Sequence, residues 1–372
     1  MKYIRLNRWQ GIAVLTIMVL CVIGSGYDIM AKPYPSFFRG VRPLGMGGAF
    51  TAVADDENAL FYNPAGLSKM SRLNIGIFNP VIGISEKMID LISDAGDIDM
   101  DATGEVSGLL RTYIGEHQHF QAALFPHVGF NVANVGVMIG GLAQGTINAD
   151  IRNPVWPEAH VDMVTDYGML GGAGLKLPFE KLVGLRAGAA LKFISRQSLS
   201  QIYTATDMAA EDFSDRLDDD LHSGSGIAAD LGLMYTLPFV PMVDTTVALA
   251  IQNIPEMDMG DATDIKTQYN FGVGVEKSFK VFSIIGAFDY RDIAGNIGED
   301  DDTAKRMHLG AEVKLPKILA VRTGFHQGYL TAGGTIDIWV IKFDFATYAE
   351  EVGAHAGQRM DRRYIMQITI GW

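Results

Sequence analysis

Three stretches of this chain carry residue types and spacings that could do chemistry. In the first, Gly45, Gly47 and Gly48 precede Asp55-Asp56 and Asn63-Pro64-Ala65. Glycine-rich runs entering a short helix can present backbone N–H groups to phosphate. The same residues also suit a compact plug, because glycine allows positive φ and close backbone contact. The second, Gly171-Gly172-Ala173-Gly174-Leu175-Lys176, resembles a phosphate loop until Leu177 and Pro178, where a hydroxyl residue and a helix are required. A glycine-rich strand is the better reading. The third, Asp97-Ile98-Asp99-Met100-Asp101, begins like an EF-hand loop, but Ala102 stands at loop position six and Gly108 at position twelve. It reads as a solvated acidic loop.

No G-x-S-x-G, H-E-x-x-H or G-x-x-x-x-G-K-[ST] motif is present. His117 and His119 are the closest pair among eight histidines and are expected to solvate a loop rather than bind metal. The sequence therefore predicts no enzyme, no cofactor and no metal site.

The elements that position these residues begin with an address. Lys2, Arg5 and Arg8 precede the apolar run GIAVLTIMVLCVIG, a basic n-region and an h-region of signal-peptide length. Residues 1–31 are read as a signal peptide, with cleavage after Ala31. Cys21, the single cysteine, falls inside that leader, so disulfides, Cys-based metal sites and a Cys nucleophile are excluded from the mature chain. Charged residues make up 20%, below the about 25% usual for soluble domains, and 42 residues are glycine. The net charge of -13 argues against nucleic-acid backbones.

After residue 72 the sequence alternates with period two in runs of about ten residues bounded by turn signals. In the run 364–372, Tyr364, Met366, Ile368, Ile370 and Trp372 share one face, with Gln367, Thr369 and Gly371 between them. Ile341, Phe343 and Phe345 alternate likewise with Lys342, Asp344 and Ala346. About fourteen such runs, from 73–85 to 363–372, predict an all-β fold. It is a transmembrane antiparallel β-barrel over 73–372, since backbone polar groups in lipid must pair within a closed sheet.

Short turns such as 132–135 alternate with long acidic linkers such as 207–220 and 256–264. Residues 87–116 carry helix-spaced apolar positions and predict a helical extracellular loop. Arg186, Lys192, Asp230, Asp289, Arg291, Glu312 and Arg322 fall on presumed inner faces, where they can pair with one another or with a plug. Gly226, Gly232, Gly272 and Gly274 leave room inside.

The series Arg42–Phe50, Ala54-Asp55-Asp56 and Asn63–Leu67 resembles the N-terminal hatch of the long-chain fatty-acid and hydrocarbon transporter superfamily (FadL/TodX-like). Its likeness extends to the PorV/PorQ-like branch. The resemblance implies a fourteen-stranded bacterial outer-membrane barrel whose lumen is closed by a hatch, here 32–72. It implies passive, hatch-gated diffusion of a hydrophobic small molecule. The PorV/PorQ-like alternative is a structural, secretion or attachment partner without transport.

On that pattern Gly45, Gly47, Gly48, Asp55, Asp56, Asn63, Pro64 and Ala65 form the hatch motif. Phe37, Phe38, Phe50 and Phe61 line a ligand pocket, and Gly140-Gly141 permit a strand kink beside a lateral gap. Residues 87–116 help form a surface groove. Tyr364 and Trp372 present the C-terminal strand to the barrel-assembly machinery. Lipid and lipopolysaccharide surround the wall, and loop carboxylates can share divalent cations with lipopolysaccharide phosphates. The hatch residues agree with this physically. Asp55 or Asp56 can cap a short helix over 57–62, Pro64 ends it, and the carboxylates can pair with inward arginines such as Arg186 or Arg322.

Overall fold

The computed structural model describes residues 33–371 apart from 100–101, 180–181, 239, 241, 299–301 and 317. The expected signal peptide and Trp372 lie outside the described residues. The wall makes fourteen passes. The first two are each interrupted by a proline: β1 is Leu73–Phe78 and Val81–Ser85, and β2 is His117–Leu124 and His127–Val132. The remainder are β3 Val135–Arg152, β4 Glu158–Lys176, β5 Leu185–Thr204, β6 His222–Leu237, β7 Asp244–Ile254 and β8 Gln268–Ser278. They continue as β9 Ser283–Tyr290, β10 Met307–Lys314, β11 Leu319–His326, β12 Tyr329–Ile338, β13 Ile341–Glu351 and β14 Met360–Gly371.

Each pass pairs antiparallel with the next, and β14 pairs with both pieces of β1 (Tyr364 opposite Ile84, Gly371 opposite Gly76), which closes the sheet. The sheet is closed, with no strand edge left unpaired among the described passes. Among the described residues no helix is long and apolar enough to cross a membrane.

The alternation read from the sequence sets the register. On β11, Leu319, Val321 and Phe325 are exposed while Ala320, Arg322, Gly324 and His326 are buried. On β13 and β14, Phe343, Phe345, Tyr364, Met366, Ile368 and Ile370 face outward as expected. The turn from β2 to β3 places Ala133 and Asn134 at φ 52° and 66°, the double positive φ of the tight hairpin turn that matches strand twist.

The interruptions lie side by side in the wall, at Asn79-Pro80 and Phe125-Pro126. Proline has no N–H to give a ladder. Asn79 repairs part of the loss: its Nδ2 donates to the Phe125 carbonyl at 2.6 Å and its Oδ1 accepts from the Phe125 N–H at 2.9 Å. The Gly141 N–H donates to the Pro126 carbonyl at 2.9 Å.

Inside the wall runs a buried segment containing α1 (Val41–Gly45), α2 (Ala59–Tyr62) and a 3-10 helix (Pro64–Lys69). The helices expected over 87–116 are α3 (Glu86–Ala95) and α4 (Thr103–Thr112). Val106, Leu110 and Tyr113 pack on Ile151, Ala159 and Ala205 at the long-loop end. The linker after β5 also contains two short helices, α5 (Ala205–Met208) and α6 (Phe213–Asp219). The first starts at a capping box between Thr204 and Asp207.

Candidate functional site

The residues with chemistry converge on the buried segment and the wall it touches. The contact depends on inward glycines. A Cβ on Gly310 would lie 2.2 Å from the Met46 carbonyl oxygen, one on Gly324 2.4 Å from the Gly47 nitrogen, and one on Gly232 2.0 Å from Asn63 Oδ1. Gly272 and Gly274 admit Thr51 and Val53 in the same way, while Gly174 and Gly188 admit Pro64. The inner face is bare at these points, so the segment lies directly against the wall backbone. Gly47 and Gly48 take φ of 64° and 86°, which residues with a Cβ rarely adopt, and Gly45 ends α1.

One end of the segment is held by charge. The Arg42 guanidinium makes a two-pronged contact with Glu312 (Nε–Oε2 3.0 Å, Nη2–Oε1 2.8 Å) and also reaches Asp55 and, at 2.6 Å, Asp56. Glu312 in turn meets Arg322, which continues to Thr335 and Asp344. Lys314 reaches Asp55 and Lys342 reaches Glu57, each at 3.0 Å.

Beyond α1, Arg39 pairs with Glu350, whose Oε1 lies 3.1 Å from His326 Nε2. His308 Nδ1 lies 2.9 Å from the Gly47 carbonyl oxygen. Arg39 and Arg42 thus flank the row where Gly45 and Gly47 meet Gly310, Gly324 and Gly333.

Burial opposes ionisation of Asp55, yet Arg42, Lys314 and Lys69 outweigh it and hold the carboxyl far below the ordinary range. Burial, with help from Glu57 and Asp55, raises Asp56 despite Arg42. The Glu57 carboxyl, also opposed by burial, is lowered to about 2, chiefly by Lys342.

The middle is held by neutral and singly charged groups. Asp289 accepts from the N–H groups of Phe50 and Thr51, each at 2.8 Å, and from the Thr51 hydroxyl at 2.7 Å. Asn63 Oδ1 accepts from the Ala65 N–H at 3.1 Å and Nδ2 donates to the Thr51 carbonyl at 2.9 Å, so the Asn-Pro-Ala turn is tied internally.

The other end is apolar. Phe38 stacks on Phe61 with ring centroids 3.8 Å apart, Phe37 lies 6.4 Å from Phe61, and Phe125 meets Phe61 edge-on at 4.9 Å. Phe125 belongs to the second strand break, so this aromatic cluster abuts the interrupted wall. Lys192 pairs with Asp230 at 2.8 Å and lies 5.1 Å from the Phe37 ring centroid. The nearby pair Arg196–Asp166 (2.7 and 2.9 Å) receives Gln144, which also donates to the Phe37 carbonyl at 2.6 Å.

Several expectations change. Asp55 and Asp56 do not pair with Arg186 or Arg322. Their cation is Arg42, from the segment itself, with Lys314 added; Arg322 is taken up by Glu312, and half-buried Arg186 reaches the Gly184 carbonyl at 3.4 Å. The helix expected from residue 57 begins at Ala59, and Asp56 caps the turn before it by accepting from the Asn58 N–H at 2.9 Å.

Phe50 stands apart from the other phenylalanines, edge-on to Tyr62 at 5.4 Å and beneath the Arg42 guanidinium. Arg291 follows the end of β9 and lies over Tyr62. Gly140 lies beside the break, where a Cβ would meet the Phe125 ring at 2.6 Å, and both Gly140 and Gly141 sit in a strand that pairs with β4 without interruption while Pro126 breaks the neighbouring β2. His117 and His119 do not solvate a loop: β2 begins at His117, and both are buried there against Asp150 and Asn148. Tyr364 is exposed on the outer face.

No family model and no curated protein matches the chain. Solved structures do. The toluene transporter TbuX of Ralstonia pickettii is similar over 93% of this chain and 100% of its own, at 12% identity and a TM-score of 0.50. The toluene transporter TodX of P. putida matches over 92% and 99%, at 10% identity and a TM-score of 0.50. A TodX deltaS2S3 mutant, a monoaromatic hydrocarbon channel, matches over 90% and 99% at 10% identity with a TM-score of 0.52. The chain therefore shares the barrel fold of TbuX and TodX, and none of these likenesses supports the PorV/PorQ-like branch.

Proposed function

We propose that this chain is a bacterial outer-membrane channel for a hydrophobic small molecule, with the buried inner segment that contains α1, α2 and the 3-10 helix acting as its hatch. The observation that carries this reading is the aromatic cluster of Phe37, Phe38, Phe61 and Phe125 against the double break at Asn79-Pro80 and Phe125-Pro126. An apolar seat beside a wall with missing ladder bonds suits a molecule that partitions into lipid. Such a molecule enters among the long loops, rests on the phenylalanines and leaves sideways where β1 and β2 are interrupted.

Diffusion down a gradient needs no nucleotide or ion coupling. The hatch blocks the straight path, so water and salts are held back while the apolar route stays short. Toluene and related monoaromatics, the compounds named for the similar barrels, are the first candidates, and long-chain fatty acids the second. The exposed C-terminal strand, with Tyr364 on its outer face, suits delivery by the barrel-assembly machinery.

Uptake of radiolabelled toluene and of a long-chain fatty acid by cells whose outer membrane carries this barrel tests the reading. Wild-type protein raises uptake of at least one, and Phe61→Arg removes the gain while heat-modifiable migration on gels shows an intact barrel. Uptake equal to that of cells lacking the barrel, for both compounds, defeats the proposal.

A further inference from the structure

The turns at the short-turn end are apolar at their tips. Val132, Phe179, Met242, Phe279, Ile318 and Trp339 each project from a different turn and are exposed, Trp339 at 86% and Met242 at 81%. A water-facing rim rarely gathers large apolar side chains at every turn. They continue the outward band formed by residues such as Leu231, Leu249, Val321 and Phe343.

The wall explains why the band must extend. β9, β10 and β11 have 8 residues each. Tilted by roughly 40°, such strands cover only about 20 Å, less than the ~25 Å apolar band of an outer-membrane barrel. The turn tips supply the missing height.

Two of these turns border an open, shallow groove. It has a volume of about 260 Å³ and is lined by Phe279, Val281, Phe282, Leu315 and Pro316, with Lys280 and Lys314 at its edge. The Phe279 and Phe282 rings stack at 4.6 Å, and Lys277 Nζ lies 5.5 Å from the Phe279 ring centroid. Lys314 is engaged by Asp55 and Glu312, whereas Lys280 is exposed. In sequence these turns carry Lys181, Lys280 and Lys317 against one acid, Glu180. The long loops at the other end are rich in aspartate, as in 207–220 and 256–264.

We propose that the short-turn rim is a binding surface for anionic phospholipid of the leaflet it meets. An acyl chain lies in the groove between Phe282 and Leu315, and Lys280 holds the headgroup phosphate. This rests on the membrane residence argued above and adds a headgroup preference and a seat.

The test uses purified full-length protein in nanodiscs of phosphatidylcholine alone or mixed with phosphatidylglycerol, with native mass spectrometry of retained lipid and tryptophan quenching by brominated chains. Phosphatidylglycerol is retained in preference. A lysine near a membrane surface contributes enough to change affinity about fivefold, so Lys280→Ala lowers that preference about fivefold and Lys280→Glu roughly thirtyfold. Trp339→Phe removes a component of tryptophan emission that brominated lipid quenches.

Equal retention of both lipids, or an unchanged preference in Lys280→Glu, overturns the proposal, and so does Trp339 emission quenched by aqueous iodide but not by brominated lipid. Insertion into both kinds of nanodisc without any preference would leave membrane residence standing while removing the lipid site.

Discussion

The two ends of the inner segment meet the wall in opposite ways. On its β10–β11 side α1 meets an unbroken wall through charge: Arg42, Glu312, Arg322, Asp55 and Lys314 form one network there, while Val41 and Leu44 pack on Val81, Tyr348 and Ile365. Around Phe37, Phe38 and Phe61 the contact is aromatic, and the wall is interrupted in β1 and β2. Buried ion pairs fix geometry and are costly to break one side at a time. Aromatic contacts are adaptable and tolerate a guest of similar polarity. On the function proposed above, the ionic side fastens the segment and the aromatic side is where a guest would exchange.

Removing one partner from the ionic end gives the largest expected effect. Glu312→Ala leaves Arg42 and Arg322 without their shared carboxylate and costs about 3–5 kcal/mol. Urea unfolding in lipid vesicles measures this, and, on the proposed function, ion conductance in planar bilayers rises as the inner segment loosens. A stable, silent variant would erase the contrast between the ends.

Next, a methyl group on the docking row unseats α1 from the wall. Gly324→Ala places Cβ against Gly47 and costs about 1–3 kcal/mol. Its conductance should rise as in Glu312→Ala, whereas Gly286→Ala, whose Cβ meets nothing within 4 Å, stays at wild type.

Acid probes the same end without mutation. Glu57 is lowered from 4.5 to about 2, so its contribution is complete above about 4.5 and is lost as pH falls towards 2. Hydrogen exchange at α2 should quicken over that window, and Glu57→Gln should flatten the response.

The smallest effect belongs to the turn between the ends. Asn63→Ala removes the cap on the Ala65 N–H and costs about 1 kcal/mol, read by the same unfolding titration.

Much of this contrast was legible in the sequence, though unevenly. Outward alternation in 341–345 and 364–370 gave the register because the outer and inner faces of a barrel select opposite residues. The glycines at 232, 272 and 274 marked where something lies inside. β5 runs on to Thr204, because Gln201–Thr204 find ladder partners in Glu158–Val161 of β4. The strand breaks had a readable signal in Pro80 and Pro126, which sit within alternating runs. The Thr204–Asp207 capping box could likewise have placed α5.

Pairing was not legible. Arg42 lies 270 residues from Glu312, and no local pattern joins them. For the same reason Arg196 and Asp166 escaped notice, although both sit on runs identified as strands.

A structure of the purified barrel soaked with toluene bears most directly on the central claim. Ligand density is expected against Phe38, Phe61 and Phe125, next to the break at Asn79-Pro80 and Phe125-Pro126. Ligand density confined to the side of β10–β13, or a phenylalanine cluster left unchanged under saturating ligand, would contradict it.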